Sequence, residues 1–327
     1  QLSNSIDYYK TDGYDLIDSD LLSTVNPSSN YSFRFKIKYD FSEKIILKAN
    51  TRYFSQEQDN IVEKSALLLE GESKIKEWNL GTSIKYLMHS NFSTEAEIYT
   101  TNYRTDEFLQ NQNGSLFDEN YFDHTLLQSE LRNNFNFKEV NGIIGFGMTK
   151  EKLDRKDFSS IAHQDLKFIY GQLDCLAFGV VDIIAGSRYD NYSNYATEIS
   201  NKLALGFPIS KQMKITGSVG TGFKIPDFRQ RYFDFTNSTI GYTVLGREVA
   251  FNRLTTMQDD GILQSIFIPF SEINSPLKSE TSLNINVGIK FRPNEKVSCN
   301  INFFKNEVVN LIEAQLVANK TNTLPVF

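Results

Sequence analysis

The chain has 327 residues, with 34 Lys and Arg against 40 Asp and Glu, and a net charge of −6. That balance argues against a nucleic-acid partner held on a basic surface. Hydrophobic residues are 40% and aromatics 13%, enough for one large β-rich unit or two ordinary domains, and no apolar run reaches the roughly 18 residues of a transmembrane helix.

A first strand is predicted near residues 3–10. Residues 31–54 then alternate with period two. Tyr31, Phe33, Phe35, Ile37 and Tyr39 are apolar, and Ser32, Arg34, Lys36, Lys38 and Asp40 between them are polar. After Asp40 to Glu43 the pattern resumes, with Ile45, Leu47, Ala49 and Tyr53 against Lys48, Asn50 and Arg52. This is a β-hairpin with one apolar face and one wet face. Its strands are as long as a tilted membrane-crossing strand of about 9–11 residues. The pattern recurs in hairpins 75–87/91–104, 122–137/140–150, 164–175/179–189, 197–207/211–222 and 281–292/296–305. In the last, Leu283, Ile285, Val287, Ile289 and Phe291 face Val297, Cys299, Ile301 and Phe303. About thirteen strands result, an all-β, antiparallel arrangement.

Connection lengths alternate. Turns of a few residues lie at one end, and long polar loops are expected near 11–30, 56–73, 105–121, 151–164, 190–197 and 223–280. Short turns on one side and long loops on the other are the layout of a transmembrane β-barrel, with the long loops extracellular. Half of each strand faces water in such a barrel, so ordinary hydropathy does not exclude it. Tyr31, Tyr39, Tyr53, Tyr86, Tyr103, Tyr189 and Tyr192 fall near predicted strand ends, as aromatic girdles require. An odd strand count conflicts with the even number of single-chain bacterial barrels. The chain is therefore expected to be a partial barrel, with its remaining strands elsewhere.

Catalysis has little support. The histidines are His89, His124 and His163, with no HExxH or GxSxG motif. Cys175 and Cys299 match no metal or redox spacing, and neither a cofactor nor a metal is expected. Asp12, Asp15, Asp18 and Asp20 make an oxygen-rich loop, but their spacing is not that of an EF-hand. Solvated turn residues are the plainer account, with calcium the alternative. The longest loop, 223–280, holds Arg229, Arg231, Tyr232, Arg247 and Arg253. Arg229, Arg231, Tyr232 and Arg247 are candidate contacts for an anionic or aromatic ligand, against the alternative of a solvated loop packing on its neighbours. Phe267 to Phe270 is expected to cap the barrel mouth. The glycines of 217–222 suit a strand that something passes closely, and Pro226 suits the point where strand gives way to loop.

Several motifs then occur in order. Ala185 to Asp190 reads AGSRYD, and Gly220 to Pro226 reads GTGFKIP, followed by Arg231-Tyr232. Leu277 to Thr281 reads LKSET, and Phe304-Lys305-Asn306 leads to Leu311-Ile312. Residues 180–316 resemble TonB-dependent outer-membrane receptors, and the details resemble receptors of Bacteroidetes-type bacteria. Lys224 and Ile225 depart from the Arg and Ala usual in that family. The resemblance assigns Gly220, Gly222, Phe223 and Pro226 to the motif. It implies a barrel of about 22 strands closed by a plug domain. It implies energy-coupled uptake of an iron–siderophore, haem, cobalamin or glycan across the outer membrane of a Gram-negative bacterium. The implied partners are outer-membrane lipid, the plug, a small ligand, the TonB–ExbB–ExbD system through an N-terminal segment not in this sequence, and a surface lipoprotein. The competing accounts are a passive outer-membrane pore and a soluble, secreted β-rich binding module.

Overall fold

The computed structural model describes residues 1–327 except 18–21, 65–66 and 238–239. Eleven strands come first: β1 (Leu2–Thr11), β2 (Ser28–Asp40), β3 (Ile45–Lys64), β4 (Leu67–His89), β5 (Phe92–Asn111), β6 (Leu116–Phe137), β7 (Val140–Arg155), β8 (Ala162–Ala177), β9 (Val181–Tyr192), β10 (Glu198–Ser210) and β11 (Met213–Lys224). An insertion follows, with α1 (Phe228–Tyr232), β12 (Asp234–Thr236), β13 (Thr243–Leu245), α2 (Arg247–Asp259), β14 (Leu263–Ile266) and α3 (Phe270–Ile273). The chain ends with β15 (Glu280–Asn294), β16 (Val297–Val309), β17 (Ala318–Lys320) and β18 (Pro325–Val326).

β1 to β11, β15 and β16 form one thirteen-stranded antiparallel sheet in sequence order. Register keeps each face uniform. Ile6 lies opposite Phe33, Phe33 opposite Tyr53, and Tyr53 opposite Trp78. The adjacent row reads Ser5, Arg34, Arg52 and Asn79. A slip of one residue would exchange these faces, so the alternation itself specifies the register.

The apolar row is outside and uncovered. Ile98 is 55% exposed, Ile144 and Phe146 52%, and Phe303 64%. Buried apolar clusters among the described residues join the insertion to the C-terminal tail or lie where the insertion meets the wall. A water-soluble protein rarely leaves such a continuous apolar surface bare. The sheet is a partial antiparallel transmembrane barrel wall, whose apolar face meets lipid and whose polar face lines the interior. Tyr31, Tyr39, Tyr86 and Tyr189 are exposed on the lipid parity. Tyr103 and Tyr192 belong to the opposite parity, opposite His124 and Leu166. Those two leave the expected girdle, because nearness to a strand end does not determine the face.

The long-loop end also differs from expectation. Residues 56–64 and 67–73 extend β3 and β4, and residues 105–111 and 116–121 extend β5 and β6. Residues 151–155 extend β7, and 190–192 extend β9. β4 has 23 residues, about 75 Å along the strand. These stretches stand beyond the bilayer, and at Gln56 to Asn60 both faces are polar. They lose the apolar alternation that marks a strand, and side-chain contacts such as Lys74 with Glu72 and Arg104 with Asp106 add to backbone pairing there.

Residues 310–327, loop-like in sequence, supply β17 and β18 to a second, five-stranded sheet of order β12-β13-β18-β17-β14. The insertion and this tail therefore fold as one mouth unit at the tall end. Its core is Ala250, Leu254, Met257, Ile273, Ala318 and Val326.

Candidate functional site

The mouth unit is built from local signals and then docked on the wall. Pro226, buried, ends β11 because proline lacks the donor that strand pairing needs. Asp227 then caps α1. Its carboxylate accepts from the Gln230 N–H at 2.8 Å, and the Gln230 amide oxygen accepts from the Asp227 N–H at 2.9 Å, a reciprocal capping box. α2 buries Ala250, Leu254 and Met257, the spacing of one helical face.

Gly246 precedes α2. A Cβ there would meet the Arg231 carbonyl carbon and the Phe233 nitrogen at 2.5 Å. Gly246→Ala is therefore expected to lower the stability of the mouth unit by about 1–3 kcal/mol, since backbone cannot give way as a flexible side chain can. Faster limited proteolysis within 228–279, with the wall intact, is the readout.

α1 docks on the interior face of the wall. Phe228 packs with Leu153, Phe158 and Ala162, and Phe122, Tyr232 and Phe233 border the cluster. Arg155 at the end of β7 is the anchor. Its guanidinium pairs with Asp157 at 2.5 Å and lies 4.8 Å over the Phe233 ring, 5.6 Å over Phe158 and 5.9 Å over Phe122. The Asp234 N–H donates to the Asp157 carbonyl at 2.9 Å. The cation thus binds aromatic faces from both wall and insertion.

The candidate residues separate into two kinds. Arg231 is 3% exposed, pairs with Glu248 at 2.7 Å, and lies 4.5 Å from the Tyr232 ring and 4.8 Å from Tyr195. Arg247 donates to the Ser275 carbonyl and hydroxyl, each at 2.7 Å, and to the Glu272 carbonyl. Burial lowers the pKa of Arg247 and raises those of Tyr195 and Tyr232. Arg253 pairs with Asp234 at 3.3 Å. These cations staple the mouth unit. Arg229 is different: its side chain is 66% exposed, and its one ion pair among the described residues is with Asp227 at 3.8 Å. Tyr232 is half-buried among Phe158 and Phe228, at 6.0 and 6.4 Å. The structure thus brings Arg231 and Tyr232 together and leaves Arg229 facing solvent.

The other sequence-derived positions are also placed. Gly220 and Gly222 sit on the interior face of β11, opposite Asn284 and Ser282. Phe223 meets Tyr192 edge-on at 6.2 Å. Phe270 turns inward against Phe251 at 6.4 Å, while Phe267 is exposed. Asp15 accepts from the Ile17 N–H at 2.9 Å and the Thr24 hydroxyl at 3.0 Å, and the Ile17 bond holds its pKa below the usual carboxylate range. Asp12 pairs with Lys10 at 3.3 Å. Asp18 and Asp20 lie outside the described residues. No group of three His, Cys, Asp or Glu able to hold a metal occurs among the described residues.

Sequence reasoning missed Arg155 and an interior network lower in the wall. There Arg132 pairs with Glu97, Glu95 and Glu130 at 2.9, 3.4 and 3.6 Å, and the Tyr170 hydroxyl donates to Glu130 at 2.6 Å. Arg188 pairs with buried Asp190 at 2.7 Å and lies 4.1 Å over Phe168. The parity of these residues was visible, since all are polar-face positions. Glu130 and Asp190 lie two residues along the same strand from Arg132 and Arg188, whereas Glu95, Glu97, Tyr170 and Phe168 come from neighbouring strands, which only register reveals.

The fold has known counterparts. The siderophore receptor PirA of Pseudomonas aeruginosa aligns over 100% of this chain and 60% of its own, at 14% identity and a TM-score of 0.51. The copper transporter OprC aligns over 94% and 49%, at 11% identity and a TM-score of 0.64. The hemophore receptor HasR of Serratia marcescens, solved with its hemophore HasA and heme, aligns over 94% and 50%, at 10% identity and a TM-score of 0.64. The chain thus spans half to three fifths of the length of these structures, and the likeness is one of fold. No curated protein sequence matches it. The family model described as TonB dependent receptor-like, beta-barrel matches residues 2–325, and the chain belongs to that family.

Proposed function

We propose that residues 1–327 are part of the barrel wall of an energy-coupled receptor in the outer membrane of a Gram-negative bacterium. The observation that carries this is the pairing of a continuous lipid-type face across all thirteen strands with a folded unit docked on the interior face at one end. A wall alone fits any pore. A structured mouth unit fits capture of a ligand before passage. The tall end is extracellular on this reading, and the long strands raise the capture surface above the lipid.

The ligand is a scarce one too large for passive diffusion: an iron–siderophore, haem, a corrinoid or a glycan. A plug and the TonB–ExbB–ExbD system supply gating and energy, and a surface lipoprotein assists capture. No catalytic role is assigned. The test is uptake of ferric chelates, haem, corrinoids and oligosaccharides by cells with and without the native gene, each with and without a protonophore. Uptake that depends on both gene and proton gradient supports the proposal. Gene-dependent uptake indifferent to the protonophore makes the protein a passive pore.

Arg229 and Tyr232 are the proposed ligand contacts of the mouth, with Arg231 and Arg247 shaping the surface behind them. Arg229→Glu is expected to weaken binding of an anionic ligand about tenfold, the loss of one charge-assisted hydrogen bond. The unfolding midpoint should change little, because the exposed pair of Arg229 with Asp227 is screened by solvent. Isothermal titration beside a thermal melt separates the two effects.

A further inference from the structure

The outward face of β7 and β8 changes character near the tall end. Tyr189, exposed and opposite Ile169, marks the level of the membrane interface. Beyond it, on the same face, stand Lys150 and Lys152 of β7 and Lys167 of β8, all exposed. Lys167 lies opposite Met148, and Lys150 opposite Asp165. Lys150 is the centre of the group. Lys152 is about 7 Å away along the strand, and Lys167 is diagonal to it at about 7–8 Å. Flexible four-carbon stems let the three ammoniums converge on one anion.

These lysines are unsatisfied. None has a carboxylate within 4.0 Å among the described residues. Asp165 shares the space with them, and Asp154, two residues beyond Lys152, takes the Tyr121 hydroxyl at 3.3 Å. Other outward cations, Lys74 and Arg104, have carboxylates at 2.9 and 2.8 Å. A cavity of about 490 Å³ opens at Lys150 and Lys152, bordered by Leu127 and His163.

On the same face, toward the short turns, lies a groove of about 620 Å³. Its floor is made of the small residues Gly171, Ala185 and Ser187, with Gly171 opposite Ser187. Exposed Ile144, Leu173 and Leu203 rise around it. Gly171 is four residues from Lys167 on β8, about 13 Å. One strand face therefore runs from a cationic end above the interface to an apolar trough within the lipid band. The trough has the size of a small-molecule site, roughly 300–1,000 Å³. The molecule that matches both ends has an anionic head and an apolar tail.

We infer that this outer face binds one phosphate-bearing lipid of the leaflet at the tall end. Lys150, Lys152 and Lys167 hold its phosphate as point charges, and an acyl chain lies in the groove over Gly171. The chain in the groove continues the lipid contact of the apolar rows around it. The site rests on the barrel reading and adds a resident lipid to the outer side of that wall.

The test is native mass spectrometry of the full native gene product, extracted from outer membranes in a mild detergent. The native protein should retain a phosphorus-bearing lipid. The Lys150→Gln, Lys152→Gln, Lys167→Gln triple variant should retain it several-fold less. Gly171→Phe should do the same by filling the trough. A Cβ there meets only the Ile143 carbonyl oxygen at 3.8 Å and Ile144 at 3.9 Å, so the fold accepts it. Lys76→Gln, on the outward parity of β4, should keep the lipid. Equal retention by the native protein and the triple variant, or no retention by either, overturns the inference. Loss with the lysines but not with Gly171→Phe reduces the site to a phosphate patch and overturns the lipid assignment. Heat-modifiable migration of the same samples shows whether a barrel has formed. A folded barrel without the lipid defeats this inference alone, and a chain outside the membrane defeats the barrel reading as well.

Discussion

Leu205→Arg is expected to cost the folded barrel about 2–4 kcal/mol, and Ala204→Arg, its neighbour, less than about 1 kcal/mol. The two positions are adjacent on β10 and face opposite sides of the wall. Leu205 is 45% exposed and lies between Ile183 and Gly217 on the apolar row. Ala204 lies between Ile184 and Ser218 on the interior row. A guanidinium on the lipid side leaves water for hydrocarbon near the middle of the wall, and snorkelling recovers only part of that loss. On the interior side it keeps its hydration. The folded fraction on unheated electrophoresis, and urea titration in phospholipid vesicles, measure the difference. On a soluble sandwich the two substitutions would instead be distinguished by a buried core, and an exposed Leu205 would accept arginine.

Arg231→Ala is expected to loosen the mouth unit by about 2–3 kcal/mol and to leave the wall unchanged. Glu248 is 44% exposed, so solvent screens the ion pair and it contributes the smaller share. The larger share is packing. The guanidinium is sandwiched between Tyr195 and Tyr232, at 4.8 and 4.5 Å, and alanine leaves that space empty. Hydrogen exchange across 228–259 should accelerate about thirtyfold to hundredfold, with β5 to β8 unaffected. Arg231→Lys should recover little, because an ammonium keeps the charge and loses the planar stack. Arg229→Ala, on the same helix and exposed, should leave exchange unaltered.

The wall was legible because a two-sided solvent writes period two into the residues. Phe33, Phe35 and Ile37 against Arg34, Lys36 and Lys38 give the face, the strand and the register together. Where the strands leave the bilayer, as at Gln56 to Asn60, both sides are wet and that signal disappears. The mouth unit was hidden for a different reason. Its core joins Leu254 on α2 to Ala318 and Val326, across the whole β15–β16 hairpin. No local pattern reports such a contact. Two local signals were present all the same: Asp227 with Gln230 as a capping box, and Ala250, Leu254 and Met257 at helical spacing. The candidate arginines lie on the insertion between β11 and β15. Composition does not distinguish Arg229, which faces solvent, from Arg231 and Arg247, which hold the unit together.

A membrane wall requires that one face of β15 meet lipid and the other water. Single cysteines along β15, in a Cys175→Ser, Cys299→Ser background and carrying a polarity-sensitive fluorophore, can be read in vesicles with a lipid-borne quencher. Probes at Leu283, Ile285, Val287 and Ile289 should be quenched, and probes at Ser282, Asn284 and Asn286 should not. Uniform quenching, uniform protection or the opposite alternation would contradict the membrane wall.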